Sequence, residues 1–211
     1  MRLTHSLQIT VFLMALVLCP LSWAKTLTIG VDLTGSNLLL LDARFADGAA
    51  QFVSREIHQL NDGDTVVVRT FGARSEGRNV LTQRFEISRR LKASKIAKAV
   101  ETYLRSLPSK DVSQPETNLI GWLEITRGFD CKNSGRIVAI TDALESSRYI
   151  DANALISGTA FLPQADVNLT GCSVFFYGLG AGMQPQMVKI LGSQWQRWMD
   201  EASADFDYDA L

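Results

Sequence analysis

The sequence predicts a three-layer α/β domain: a mostly parallel sheet with one antiparallel edge strand and helices on both faces. Three observations carry this. Short, β-branched and nearly continuous apolar runs recur along the chain, as strands buried on both faces require. Segments with apolar residues three and four apart separate them, as amphipathic helices do. Most of these runs end in polar or glycine-containing turns, and open α/β sheets bind ligands beyond the carboxyl ends of their strands.

The chain has 211 residues and opens with Arg2 and His5 ahead of an apolar run from Ile9 to Leu18, closed by Pro20 and the small residues Ser22 and Ala24. This reads as a signal peptide over residues 1–24, too short for a membrane span of about 20 apolar residues. Residues 25–211 are then expected to form one exported domain, periplasmic or extracellular, with no membrane span after cleavage.

Thr26 to Val31 is the first expected strand, and Asp32-Leu33-Thr34-Gly35-Ser36-Asn37 the polar turn after it. Helical periodicity runs from Leu38 to Leu60 through Leu41, Phe45, Ala49, Phe52, Val53 and Ile57, and Asn61-Asp62-Gly63 supplies the stop. Thr65 to Phe71 is a second strand. A charged turn holding Arg74, Glu76 and Arg78 leads to an alternating segment, Val80 to Ile87, whose short connection favours an antiparallel partner. Lys92 to Leu107 has one apolar face and stops before Pro108. Thr117 to Phe129 reads as a helix, Arg136 to Ile140 as a strand delivering Thr141 and Asp142, and Ile150 to Ile156 as a short helix. Ser173 to Tyr177 is the last expected strand and Gln184 to Ala202 the last helix, whose Trp195 and Trp198 stripe is expected in the core. The acidic end, Asp205 to Asp209, reads as a short solvated tail.

Composition excludes several functions. Lys and Arg number 21 against 22 Asp and Glu, a formal charge of −1, which does not suit a protein that tracks nucleic-acid phosphates. Of two histidines, His5 lies in the leader and His58 deep in a helix, and no Gly-x-Ser-x-Gly turn is present, so a Ser-His-Asp hydrolase is excluded. After leader cleavage only Cys131 and Cys172 remain, and an even pair in an exported protein is expected to form a disulfide.

Three separated pieces should meet at one sheet edge: Asp32-x-Thr34-x-Ser36 after the first strand, Thr117 at a helix start, and Asp142 after a later strand. Together they offer three hydroxyls and two carboxylates, a set that suits a hard cation such as Mg²⁺. In order and spacing these pieces resemble the von Willebrand factor A family and its metal-ion-dependent adhesion site, Asp-x-Ser-x-Ser with a distant Thr and a later Asp. The resemblance covers nearly the whole of 25–211. It implies a Rossmann-like fold, Mg²⁺ or Mn²⁺ held by Asp32, Thr34, Ser36, Thr117 and Asp142, and a partner protein whose Asp or Glu carboxylate completes the shell. Such a chain would be a binding module, not an enzyme. The sequence departs from the pattern where Thr34 replaces Ser and where Ala143 follows Asp142 in place of Gly.

Two other readings stay open. Asp32-Leu33-Thr34-Gly35-Ser36 also resembles the phosphorylated motif of P-type ATPases and the haloacid dehalogenase-like phosphatases, which would make Asp32 a nucleophile. Alternatively, these residues are ordinary caps and turns on a metal-free scaffold, Thr117 among them.

Overall fold

The computed structural model describes residues 24–73, 81–125, 131 and 135–210. All but the last residue of the expected leader, the charged turn of Arg74, Glu76 and Arg78, and residues 126–130 of the expected helix Thr117 to Phe129 lie outside that range.

The described chain is an α/β fold with one six-stranded sheet in the order β3-β2-β1-β4-β5-β6. The strands are β1 (Thr26–Asp32), β2 (Thr65–Phe71), β3 (Thr82–Glu86), β4 (Arg136–Ile140), β5 (Ser173–Tyr177) and β6 (Asp205–Asp209). Every pairing is parallel except β2 with β3, so β3 is the expected antiparallel edge. The helices are α1 (Leu38–Leu41), α2 (Ala43–His58), α3 (Ala93–Ser106), α4 (Leu119–Ile125), α5 (Ala152–Ile156) and α6 (Pro185–Glu201), with a 3₁₀ turn at Leu107–Ser109.

Because side chains alternate across a strand, each inner strand feeds two cores. Leu27, Ile29 and Val31 of β1 join Val138 and Ile140 of β4 under α2 and α3. Ile137 and Ala139 of β4 join Val174 and Phe176 of β5 against residues of α4, α5 and α6. The third layer completes the expected arrangement. Trp195 and Trp198 are fully buried there, and the Trp195 ring meets Phe176 edge-on at 5.2 Å. Gly30 interrupts the β1 pattern for a steric reason: a Cβ there would lie 2.6 Å from the Trp122 ring, which stacks on Phe71 at 5.0 Å.

At the amino end of the parallel strands, Cys131 and Cys172 form the expected disulfide, with Cα atoms 4.5 Å apart. Nearby, at the start of β4, Arg136 pairs with Glu56 of α2 at 2.5 Å. Among the described residues no helix is long and apolar enough to cross a membrane.

Two sequence expectations need correction. The single helix from Leu38 to Leu60 is broken at Asp42, whose extended backbone ends α1 and whose carboxylate accepts from Arg44 and Phe45 N–H to start α2. Asn37 caps α1 in the same way through Leu39 N–H. Two competent caps five residues apart outweigh an uninterrupted apolar period, and Leu41, placed on the core face by that period, is 65% exposed.

The acidic end is strand β6 and not a tail. It pairs in parallel with β5 from Asp205 opposite Ser173 to Asp209 opposite Tyr177. Alternation explains the misreading: Phe206 packs edge-on against Phe176 at 5.0 Å, and the three aspartates that alternate with the two aromatics are on the opposite face. Phe206→Ala is therefore expected to lower stability by about 1–2 kcal/mol, for a half-buried aromatic, in urea unfolding. An unchanged midpoint would return the segment to a solvated tail.

Candidate metal and partner site

The strand order reverses between β1 and β4, the two central strands from which the chain runs outward in opposite directions. Crevices at such switch points are where open parallel sheets bind ligands. Asp32 is the last residue of β1, and Asp142 follows β4 by two positions. Both are buried, Asp32 completely.

Local sequence explains the shape of the first loop. Asp32 Oδ1 accepts from both the backbone N–H and the hydroxyl of Thr34, at 2.9 and 2.7 Å. Its Oδ2 accepts from the Thr141 hydroxyl at 2.6 Å, which ties the β1 loop to the end of β4. Asn37 reinforces that tie by donating to the carbonyls of Asp32 and Ile140. Neither Thr141 nor Asn37 was singled out as a site residue from sequence; each was legible only as a polar neighbour of a candidate ligand.

The third candidate segment, around Thr117, is drawn in by backbone bonds. Gln114 N–H donates to Leu33 carbonyl at 2.8 Å and Gly35 N–H to Gln114 carbonyl at 3.1 Å. Thr117 and Ser146 then exchange N–H bonds of 3.1 and 3.0 Å, so the loop is fastened to β1 on one side and to the β4 loop on the other. This brings all five expected residues to one place. Thr34, Ser36 and Thr117 line a cleft of about 450 Å³ together with Gln114, Leu144 and Ser146. Asp32 and Asp142 lie buried beside those lining residues.

The segment after Asp142 turns sharply. Ala143 adopts a left-handed backbone with φ 59°, a conformation that costs an L-residue energy and explains why glycine suits the position better. Its carbonyl accepts from the Trp195 indole at 2.8 Å. Beyond it Glu145, fully buried, accepts from the N–H groups of Leu119 and Ile120 at 2.8 and 3.1 Å and from the Ser147 hydroxyl at 2.6 Å. Glu145 is not among the sequence-derived site residues, because these bonds join residues 25 and 26 positions apart.

Asp142 is the unsatisfied member. Its Oδ1 accepts from Leu144 N–H at 3.0 Å, and Oδ2 is buried with no hydrogen-bond partner. The Ser36 hydroxyl is near enough to favour the charged form of the Asp142 carboxyl. Among the described residues no three His, Cys, Asp or Glu side chains converge, so an all-carboxylate or imidazole cage is not the geometry here. The donor set is instead two carboxylates and three hydroxyls. It fits a hard, oxygen-seeking divalent cation that keeps part of its water. A buried carboxylate oxygen without a partner is the observation that makes the fit more than compositional.

A larger hollow of about 700 Å³ lies beside the same bridge, lined by residues that include Glu116, Ser146, Arg148 and Tyr149. Its prominent side chains satisfy each other: Arg148 sits 4.7 Å over the Tyr149 ring and donates to its hydroxyl at 2.9 Å. The smaller cleft, next to the unsatisfied carboxylate, is the better candidate site. No protein-family model matches the chain, and no curated protein matches it.

The carboxyls record the electrostatic cost of the site. Burial, and then the charge of Asp142, push Asp32 from 3.8 up to about 7 against the lowering by Thr141 and Thr34. Burial raises Asp142 as well, opposed by Leu144 N–H and Ser36. Glu145 rises from 4.5 to about 7, again through burial. The folded state thus retains protons that the unfolded chain releases, and metal-free stability falls as pH rises through the window from about 4 to about 7. Urea midpoints in chelator should be higher near about pH 5 than near about pH 7.5, and Asp142→Asn should flatten the slope. A midpoint that rises with pH contradicts this electrostatic account.

Proposed function

We propose that the chain is an exported, metal-dependent protein-binding module of the von Willebrand factor A kind. In this reading Mg²⁺ or Mn²⁺ is held by Ser36, Thr34, Thr117, Asp32 and Asp142, directly or through water. The single observation that carries it is the buried, unpartnered Asp142 Oδ2 beside the second buried carboxylate and the three hydroxyls. Without a cation, two buried carboxylates repel; with one, each gains a counter-charge. Bound metal would supply a Lewis-acidic centre with an open position for an outside oxygen. Neutral hydroxyls leave more positive charge on the cation than carboxylates would, so an Asp or Glu of a partner protein is the favoured guest. The disulfide supports export, since such bonds persist in oxidising compartments.

The roles of the chain's own residues follow from their placement. Thr141 and the Thr34 amide orient Asp32, Gln114 and Ser146 set the height of the Thr117 loop, and the exposed Ser36 is the ligand closest to solvent. Calorimetric titration with Mn²⁺ should give one site in the parent, strongly weakened in Thr117→Ala and Asp142→Asn. Asp32→Ala is a poorer probe than the loop position suggests, because it leaves three buried donors unpaired. Absence of Mn²⁺ uptake by the parent removes the proposal and leaves the metal-free scaffold.

The phosphatase reading is weaker on geometric grounds. Asp32 has no exposed surface and its two oxygens accept three hydrogen bonds, so a phosphate ester has no open approach to it, whereas a cation can be held there through water. Incubation of the Mg²⁺-supplemented protein with an aryl phosphate is expected to release no phenol above blank. Turnover lost in Asp32→Asn but kept in Thr117→Ala would instead support a phosphoryl-transfer enzyme.

A further inference from the structure

Resting on the metal-site reading above, we infer that Glu145 is the positioning residue that holds the Thr117 hydroxyl in register with Asp142, without touching the cation itself. The first amides of a helix need acceptors from outside the helix. At α1, α2 and α5 the chain supplies them locally, from the side chains of Asn37, Asp42 and Asp151 immediately before each helix. At α4 the local cap, Asn118, reaches only Gly121 N–H at 3.0 Å. The two amides nearest Thr117, those of Leu119 and Ile120, are taken by Glu145, which lies three residues beyond Asp142.

That choice of acceptor has a mechanical result. A local cap orders one helix end, whereas Glu145 fastens the start of α4 to the segment that carries Asp142. With the paired N–H bonds between Thr117 and Ser146, four hydrogen bonds join the two segments, through Thr117, Leu119 and Ile120 on one and Glu145 and Ser146 on the other. The Ser147 hydroxyl fixes the remaining carboxylate oxygen, so the clamp itself has one orientation. Groups that hydrogen-bond a metal ligand directly commonly change metal affinity by about 10–100-fold when deleted, and Glu145 acts one step further out, through the backbone at the start of α4.

The test uses the full exported chain and Mn²⁺ as the probe. Calorimetric titration is combined with hydrogen exchange at Leu119 and Ile120 in metal-free protein, for the parent, Glu145→Ala, Glu145→Gln and Ser147→Ala. Glu145→Ala is expected to bind Mn²⁺ about 10-fold more weakly, the low end for direct partners of a ligand, and to exchange both amides faster. Glu145→Gln keeps a carbonyl oxygen for the amides and an NH₂ that can donate to Ser147, and should stay within about threefold of the parent. That rescue separates positioning from a general loss of fold. Ser147→Ala should show a smaller loss in the same direction, and it decides the matter if Glu145→Ala does not fold. Failure of the parent to bind Mn²⁺ overturns the metal site itself. A parent that binds, with folded Glu145→Ala or Ser147→Ala binding equally well, overturns the positioning role alone.

Discussion

Two carboxylates without solvent, Asp32 and Asp142, raise each other's cost of ionisation at the centre of the sheet, and the surrounding loops are organised around that cost. Thr34 and Thr141 spend their hydroxyls on Asp32, and Asn37 spends its amide on the two carbonyls that end β1 and precede Thr141. Replacing a buried ionic group by an apolar residue of similar volume is often neutral or stabilising. A chain selected only for its fold has no need of two such acids side by side. Their presence at a strand switch point, with one oxygen left unpartnered, is what distinguishes this loop cluster from the caps and turns elsewhere in the molecule.

The frame that presents these loops is correspondingly rigid. Both central strands are parallel and covered on two faces, so the carboxyl ends of β1 and β4 are fixed before any loop is considered. Gly30 lets Trp122 lie directly on β1, which brings α4, and with it the Thr117 segment, against the strand that ends in Asp32. Small changes under the site should therefore act on ligand geometry before they act on global stability.

Much of this was legible in the sequence. The inner strands were visible as runs such as Thr65 to Phe71 and Ser173 to Tyr177, because strands buried on both faces leave little room for polar residues. The five candidate ligands were found through their order along the chain, and the topology brings them together. What escaped reading was set by competition or by distance. Asp42 breaks a helix whose periodicity continues through it, since a cap outweighs a weak propensity. Asp205 to Asp209 was judged by its charge, although its two aromatics at alternate positions were the strand signal. Glu145 could not be placed at all, because its partners lie 25 and 26 residues away and nothing local marks it.

The bond from Trp195 to the carbonyl of Ala143 gives the molecule a built-in optical gauge. An indole whose N–H is held by a carbonyl has different emission from one that is free, and this indole is fully buried, shielded from fluctuations of bulk solvent. The residue it grips, with its left-handed backbone, directly follows Asp142. A change in that backbone would lengthen or misalign the bond and so change the spectrum, with no label added. The buried Trp198, 5.7 Å away and tilted by 67°, is close enough to exchange excitation with it, so the two rings on one helix respond together.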